Sequence, residues 1–203
     1  MKEKVLKCYD WIIRYFMYFI CASLIGWIYE VLTIMFENHH GFQNRGMLYG
    51  PYLPIYGFGM LVLIVTVDPI RRMNLGKNTS ISATTLFVVK IILVFLAAFV
   101  VTSTVELAAS YIISPTSWEY IGNGQKNPPW FYSADEGYDI NFQGRIALKS
   151  SLRFGMGSVF LLYVLLPAID SFSTKKKPFK IVGSLLLLFF IIDCMATLIT
   201  VCI

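Results

Sequence analysis

Gly41-Phe-Gln-Asn-Arg45-Gly-Met-Leu-Tyr-Gly50-Pro-Tyr-Leu-Pro54-Ile-Tyr-Gly57-Phe-Gly59 decides how this chain is read. The stretch lies between two apolar segments long enough to cross a bilayer. It carries one arginine, three tyrosines, two prolines and five glycines. Irregular polar backbone at membrane depth is tolerated only where it is buried in protein or lines a wet cavity. A shorter echo, Phe142-Gln-Gly-Arg145-Ile-Ala-Leu148, follows one hundred residues later. The two copies mark where a site would lie, and the remainder of the chain is organised around them.

Composition points to a bilayer as the solvent. Of 203 residues, 57% are hydrophobic and 14% charged, whereas a soluble domain carries about a quarter charged residues. The formal charge of +5 does not indicate nucleic acid, because lysines and arginines gather at the ends of apolar runs and form no basic domain. Cys8, Cys21, Cys194 and Cys202 fall in or beside apolar segments and read as buried apolar thiols, with neither a disulfide framework nor metal-ligand spacing. Adjacent His39 and His40 project in different directions and have no third ligand near in sequence. No metal or other cofactor is called for.

About 20 apolar residues make a transmembrane helix. Five segments qualify, at about 11–36, 49–67, 82–113, 146–169 and 180–203. The chain is therefore expected to be an all-α integral membrane protein forming a single membrane domain over 1–203. The first segment continues past Glu30 without a cleavage pattern, so it reads as an uncleaved signal anchor. Lys2, Lys4 and Lys7, then Arg71, Arg72 and Lys77, then Lys175, Lys176, Lys177 and Lys180 lie on alternate connectors. The positive-inside rule then places the N-terminus inside and the C-terminus outside. The long outer connector 114–145 holds Trp118, Trp130 and Tyr132, which either anchor at headgroup level or cover a cavity as a lid. Pro51 and Pro54 either start the second helix or belong to a broken segment whose free backbone groups line a cavity.

The two echoing motifs share four of seven positions, and each sits at the outer mouth before a returning helix. Each follows an outgoing helix with one glutamate, Glu30 or Glu106, about 8–10 Å below the outer end of its apolar run at 1.5 Å per residue. Two hairpins of like orientation would be parallel repeats, and several transporter folds bind substrate between such repeats. The expectation is two parallel-repeat hairpins plus one extra helix, with Glu30, Arg45, Glu106 and Arg145 converging near the outer leaflet. Arg145, Lys149 and Arg153 recur every fourth residue, a single helical stripe. Arg153 is deep enough to need an anion, with Glu30, Glu106 and Asp193 as candidates. An internal salt-bridge network is the plain alternative. Against two glutamates stand four basic groups, which suggests an anionic or zwitterionic ligand, and Tyr49 and Tyr56 join the candidate ligand-binding set.

The block Asn44-Arg45-Gly46-x-Leu48-Tyr49-Gly50-Pro51-x-x-Pro54-Ile55-Tyr56-Gly57-x-Gly59, with Asn141, Gly144, Arg145 and Ile146, resembles the small bacterial proteins called Putative ABC-transporter type IV, or CmpB-like permeases. The resemblance runs from about Ile25 to Asp170. It implies a multi-pass permease of the bacterial plasma membrane, without supplying a substrate or catalytic residues. Gly76-Lys77-Asn78-Thr79 lacks P-loop spacing, so an ABC role needs a separate ATPase subunit. Five helices enclose little space, which favours a homodimer or a larger partner. The leading function is a permease or permease subunit, leaning away from an enzyme. The alternatives are a non-catalytic assembly or regulatory subunit, and a membrane-embedded enzyme acting on a lipid or prenyl-phosphate head group. In the enzyme reading Glu30 or Glu106 is the general base, with Arg45, Arg145 and Arg153 as the phosphate clamp.

Overall fold

A computed structural model describes residues 2–36, 41, 42, 44, 46, 48–75, 81–113, 132 and 137–202. Among these residues seven α-helices follow in order: α1 (Lys2–Phe36), α2 (Pro54–Thr66), α3 (Asp68–Arg72), α4 (Ala83–Ile113), α5 (Leu148–Phe160), α6 (Leu166–Ser173) and α7 (Lys176–Cys202). Between α4 and α5, strands β1 (Asn141–Phe142) and β2 (Ile146–Ala147) form a small antiparallel hairpin. Four helical runs are long and apolar enough to cross a membrane: Glu3–Phe36, Ala83–Ile112, Leu148–Ser173 and Lys176–Thr200.

The expected second span differs. Residues 49–53 are not helical, and α2 has only 13 residues, which at 1.5 Å per residue is about 20 Å, short of a hydrocarbon core of about 30 Å. Pro54 is the first helical residue, as suits a residue whose backbone nitrogen has no N–H to donate. Other boundaries move as well. The first helix begins at Lys2 rather than near residue 11, residues 146–147 are strand, and only Thr174 and Lys175 separate α6 from α7. A π-helical turn, Leu161–Leu165, joins α5 to α6. It lies where Pro167 has no N–H to give the carbonyl of Tyr163, so the regular ladder is interrupted there.

The chain divides into two compact units, Met1–Leu61 with Tyr163–Ile203, and Val62–Leu162. In the first, α1 packs on α6 and α7. Its core holds Ile13, Met17, Phe19 and Ile20 of α1, Leu166 and Ile169 of α6, and Phe179 of α7, all buried. A Cβ on Gly183 would lie 2.5 Å from Ile13 Cγ2, so the backbones of α1 and α7 approach as small residues allow. In the second unit α4 packs along α5, where a Cβ on Gly155 would lie 3.0 Å from the Phe95 ring. Large apolar side chains remain exposed along α4 (Phe87, Ile92, Leu96, Val100) and α7 (Leu185, Phe189, Ile192, Leu198). Helices apolar on every face suit lipid and not water. The thiols are less uniform than expected: Cys8 is exposed, and Cys21 and Cys194 are half-buried.

Candidate functional site

In the Val62–Leu162 unit the site is built on α4. Glu106 and Ser110 are four residues apart and share a helical face; both are buried, Glu106 to 3% exposure. The Tyr132 hydroxyl donates to Glu106 Oε1 and lies 2.8 Å from Ser150 Oγ, and Ser150 donates to the same carboxylate oxygen at 3.2 Å. Ser110 gives its own proton to the Leu107 carbonyl at 2.7 Å. Its lone pairs then face Arg145 Nη1 at 3.4 Å.

The hairpin aims Arg145. Gln143 and Gly144 have φ of +54° and +66°, and Arg145 N–H donates to the Phe142 carbonyl at 2.9 Å. Positive φ at both central positions is the signature of the tight hairpin turn that matches strand twist. Asn141 Oδ1 accepts from Gly144 N–H at 2.9 Å and its amide donates to the Tyr138 carbonyl at 2.7 Å. Arg145 thus emerges 4% exposed, its guanidinium carbon 3.9 Å from the centre of the Tyr111 ring. The turn corrects the expected stripe: Arg145 precedes α5, so only Lys149 and Arg153 lie on that helix. Lys149 Nζ sits 5.2 Å over the Tyr138 ring, which is 4.8 Å from the Tyr132 ring, and Arg153 is half-buried. Glu106, Arg145 and Lys149 are therefore linked within one unit through Ser110, Tyr132, Tyr138 and Ser150. Sequence reasoning named Tyr132 only as an anchor or lid aromatic of the long connector, and the other three not at all.

Glu30, Tyr49 and Tyr56 belong to the other unit. The Tyr56 hydroxyl donates to Glu30 Oε1 at 2.5 Å. Gly26 leaves room for that ring, since a Cβ there would come within 2.6 Å of Tyr56 Cβ. Tyr49 meets a different acid. Its backbone N–H donates to Asp193 Oδ1 at 3.0 Å, Gly50 N–H to Oδ2 at 2.7 Å, the Tyr52 hydroxyl to Oδ2, and Thr197 to Oδ1 at 3.4 Å. Leu53 N–H donates to the Ser23 carbonyl at 3.0 Å. Asp193 was a candidate countercharge for Arg153; among the described residues its partners are these four donors and no cation. The carboxylate answers the backbone N–H groups of Tyr49 and Gly50, which have no helix of their own to bond within. The Tyr49 ring is exposed, its hydroxyl donating to Thr200 at 3.2 Å.

Both glutamates accept from a phenol 26 residues further on. The register nevertheless differs, since Tyr56 follows the first motif and Tyr132 precedes the second. The phenol–carboxylate pairs are parallel solutions and not matching positions of one repeat. Arg45 and most of the connector 114–145, including Trp118 and Trp130, lie outside the described residues, as do His39, His40 and Gly76–Thr79.

No curated protein and no solved structure matches the chain. The family model described as Putative ABC-transporter type IV does match, over residues 17–198 and so most of the chain. With four helical runs long and apolar enough for a bilayer, this chain is a membrane protein belonging to that ABC-transporter-related family.

Proposed function

We propose that the protein is a permease or permease subunit that binds a small anionic or zwitterionic solute at Arg145, Lys149 and Glu106. The observation that carries this reading is the burial of Glu106 and Arg145, each at 4% exposure or less, on or beside a membrane-length helix. Ionisable groups at membrane depth cost about 2.5–3.5 kcal/mol each on the lenient scale and are by default functional. With two cations to one carboxylate, the cluster carries net +1, which favours an anionic group such as a carboxylate, and Glu106 gives an ammonium its partner. A purely structural network is the second reading, favoured by the hydroxyl partners that already hold Glu106 and Ser110.

The finer architecture belongs to the same proposal. α2 continues through Val67 into α3, and together they make the fifth crossing of one membrane domain. The N-terminus lies inside and the C-terminus outside, and the 42–48 and 142–148 motifs begin two parallel repeats. Arg153, on α5 with Lys149, extends the solute path within the Val62–Leu162 unit. The membrane is a bacterial plasma membrane, and the working assembly is a homodimer or a complex with a separate ATPase.

Uptake by proteoliposomes tests the function. Purified protein is assayed with a labelled panel of amino acids, organic acids and phosphate esters, without and with ATPase subunits encoded beside its gene. At least one solute accumulates, and Glu106→Gln or Arg145→Lys lowers its uptake about tenfold, because a lysine does not reproduce the planar fork of arginine. Accumulation of none of the panel, or uptake untouched by both substitutions, overturns the reading.

A further inference from the structure

A second site of different chemistry lies in the Val62–Leu162 unit. The turn after α2 brings Thr66, Val67 and Ile70 opposite Leu93, Leu96, Ala97, Val100 and Val101 of α4, leaving a groove of about 570 Å³. From Leu93 to Val101 the wall runs about 12 Å along α4 at 1.5 Å per residue. Its lining is almost wholly apolar, and it would leave a gap in the bilayer unless an acyl chain fills it.

Two residues beyond the lining residue Ile70, at the end of α3, stands a cation held by a carboxylate. Asp68, 3% exposed, accepts from Arg71 Nε and Arg72 Nε, each at 2.5 Å. The two guanidinium groups share this one buried carboxylate. The Arg72 side chain is 61% exposed, and Asp68 is its one partner among the described residues, engaged through Nε alone. The end-on fork of one N–H on Nη1 and one on Nη2 therefore faces away from the carboxylate on a side chain that Asp68 holds at Nε. Such a fork suits bidentate contact with phosphate. An apolar trough with a pre-oriented guanidinium two residues beyond its wall matches the two halves of a phospholipid.

We propose that the groove between Thr66–Ile70 and α4 holds one acyl chain of an anionic phospholipid whose phosphate is bound by Arg72, oriented by Asp68. Arg71, Arg72 and Lys77 share this connector, and by the positive-inside rule it faces the leaflet where anionic lipids attract basic segments. The site is independent of the solute reading above, since it shares no residue with the Glu106 cluster.

Native mass spectrometry of the delipidated full-length protein tests it, with phosphatidylglycerol and phosphatidylcholine of identical chains as probes. Wild type binds one phosphatidylglycerol at least severalfold more tightly than any phosphatidylcholine. Loss of charge-assisted hydrogen bonds, at about 1.5–3 kcal/mol, corresponds to a tenfold or larger weakening in Arg72→Gln. Ala97→Phe fills the groove and weakens both lipids. Lys177→Gln, in the cationic first turn of α7, leaves the tightest phosphatidylglycerol in place. Should Ala97→Phe fail to fold, Arg72→Gln carries the test, because its side chain is exposed and its unfolding midpoint is measured alongside. Equal affinity for the two lipids overturns the proposal. So does a tight phosphatidylglycerol that survives Arg72→Gln, or one that is lost only with Lys177→Gln.

Discussion

Replacing Asp193 tests how a membrane helix accommodates the non-helical backbone of residues 49–53. In Asp193→Ala, the N–H groups of Tyr49 and Gly50, the Tyr52 hydroxyl and the Thr197 hydroxyl all lose their acceptor. Hydrogen bonds to a charged group contribute about 1.5–3 kcal/mol each. Summing them overstates the cost, because Asp193 is half-buried and the Tyr49 end is exposed. Tyr52 and Gly50 make the tighter contacts, so we expect a loss of about 2–4 kcal/mol, below the roughly 3–6 kcal/mol of two full bonds on that scale. Asp193→Asn keeps one carbonyl oxygen for the two backbone donors, and its amide can donate to the Tyr52 oxygen; about 1 kcal/mol, one ordinary hydrogen bond, should be lost. Tyr52→Phe costs a similar amount. The assay is denaturant-induced unfolding in mixed micelles, followed by circular dichroism. A double-mutant cycle between Asp193→Ala and Tyr52→Phe should show coupling of about 1–2 kcal/mol, as for residues in direct contact. If Asp193→Ala unfolds with wild type, or the cycle closes without coupling, the carboxylate does not hold the loop.

Gly57→Ala places a Cβ 2.5 Å from the Phe19 ring and should destabilise the protein by about 1–3 kcal/mol, the usual cost of overpacking, in the same unfolding assay. Gly144→Ala puts a side chain at φ +66°; about 1–2 kcal/mol is expected, and because the turn aims Arg145, solute uptake falls further than stability predicts. Lys7→Ala removes an ion pair with Glu3 whose side chains are 77% and 82% exposed. It should change stability by less than about 1 kcal/mol, and a larger loss would mean that water does not screen this pair as its exposure requires.

Long apolar segments made most of the helical architecture legible. Four of the expected spans correspond to helical runs, because nothing but a helix can satisfy their backbone in lipid. The second segment misled because apolar content says nothing of where hydrogen bonding begins. Pro51 and Pro54 cannot donate, and the N–H groups of Tyr49 and Gly50 needed an acceptor from elsewhere in the chain. That need was readable in the sequence, whereas its answer, Asp193, lies more than 140 residues away. The hairpin at 141–147 was hidden because two-residue strands carry no periodicity; Asn141 and Gly144 were its one signal. At the site, charge made Glu106, Arg145 and Lys149 stand out. Tyr132 was legible only as an anchor or lid aromatic, and Tyr138, Ser110 and Ser150 not at all, since a phenol among 12 tyrosines is tied to a carboxylate only once the two are side by side. The helical stripe of Arg145, Lys149 and Arg153 failed at its first member, where the turn, and not α5, sets direction.

The most direct measurement compares thermal unfolding of wild type with that of the charge-neutral pair Glu106→Gln with Arg145→Gln, each across the same panel of anionic and zwitterionic solutes. A solute site predicts that at least one compound raises the wild-type midpoint, that the doubly substituted protein still folds, and that the rise is gone. No rise with any compound in wild type, together with marked destabilisation of the double variant, would make the buried pair a structural brace and contradict a solute site at Glu106 and Arg145.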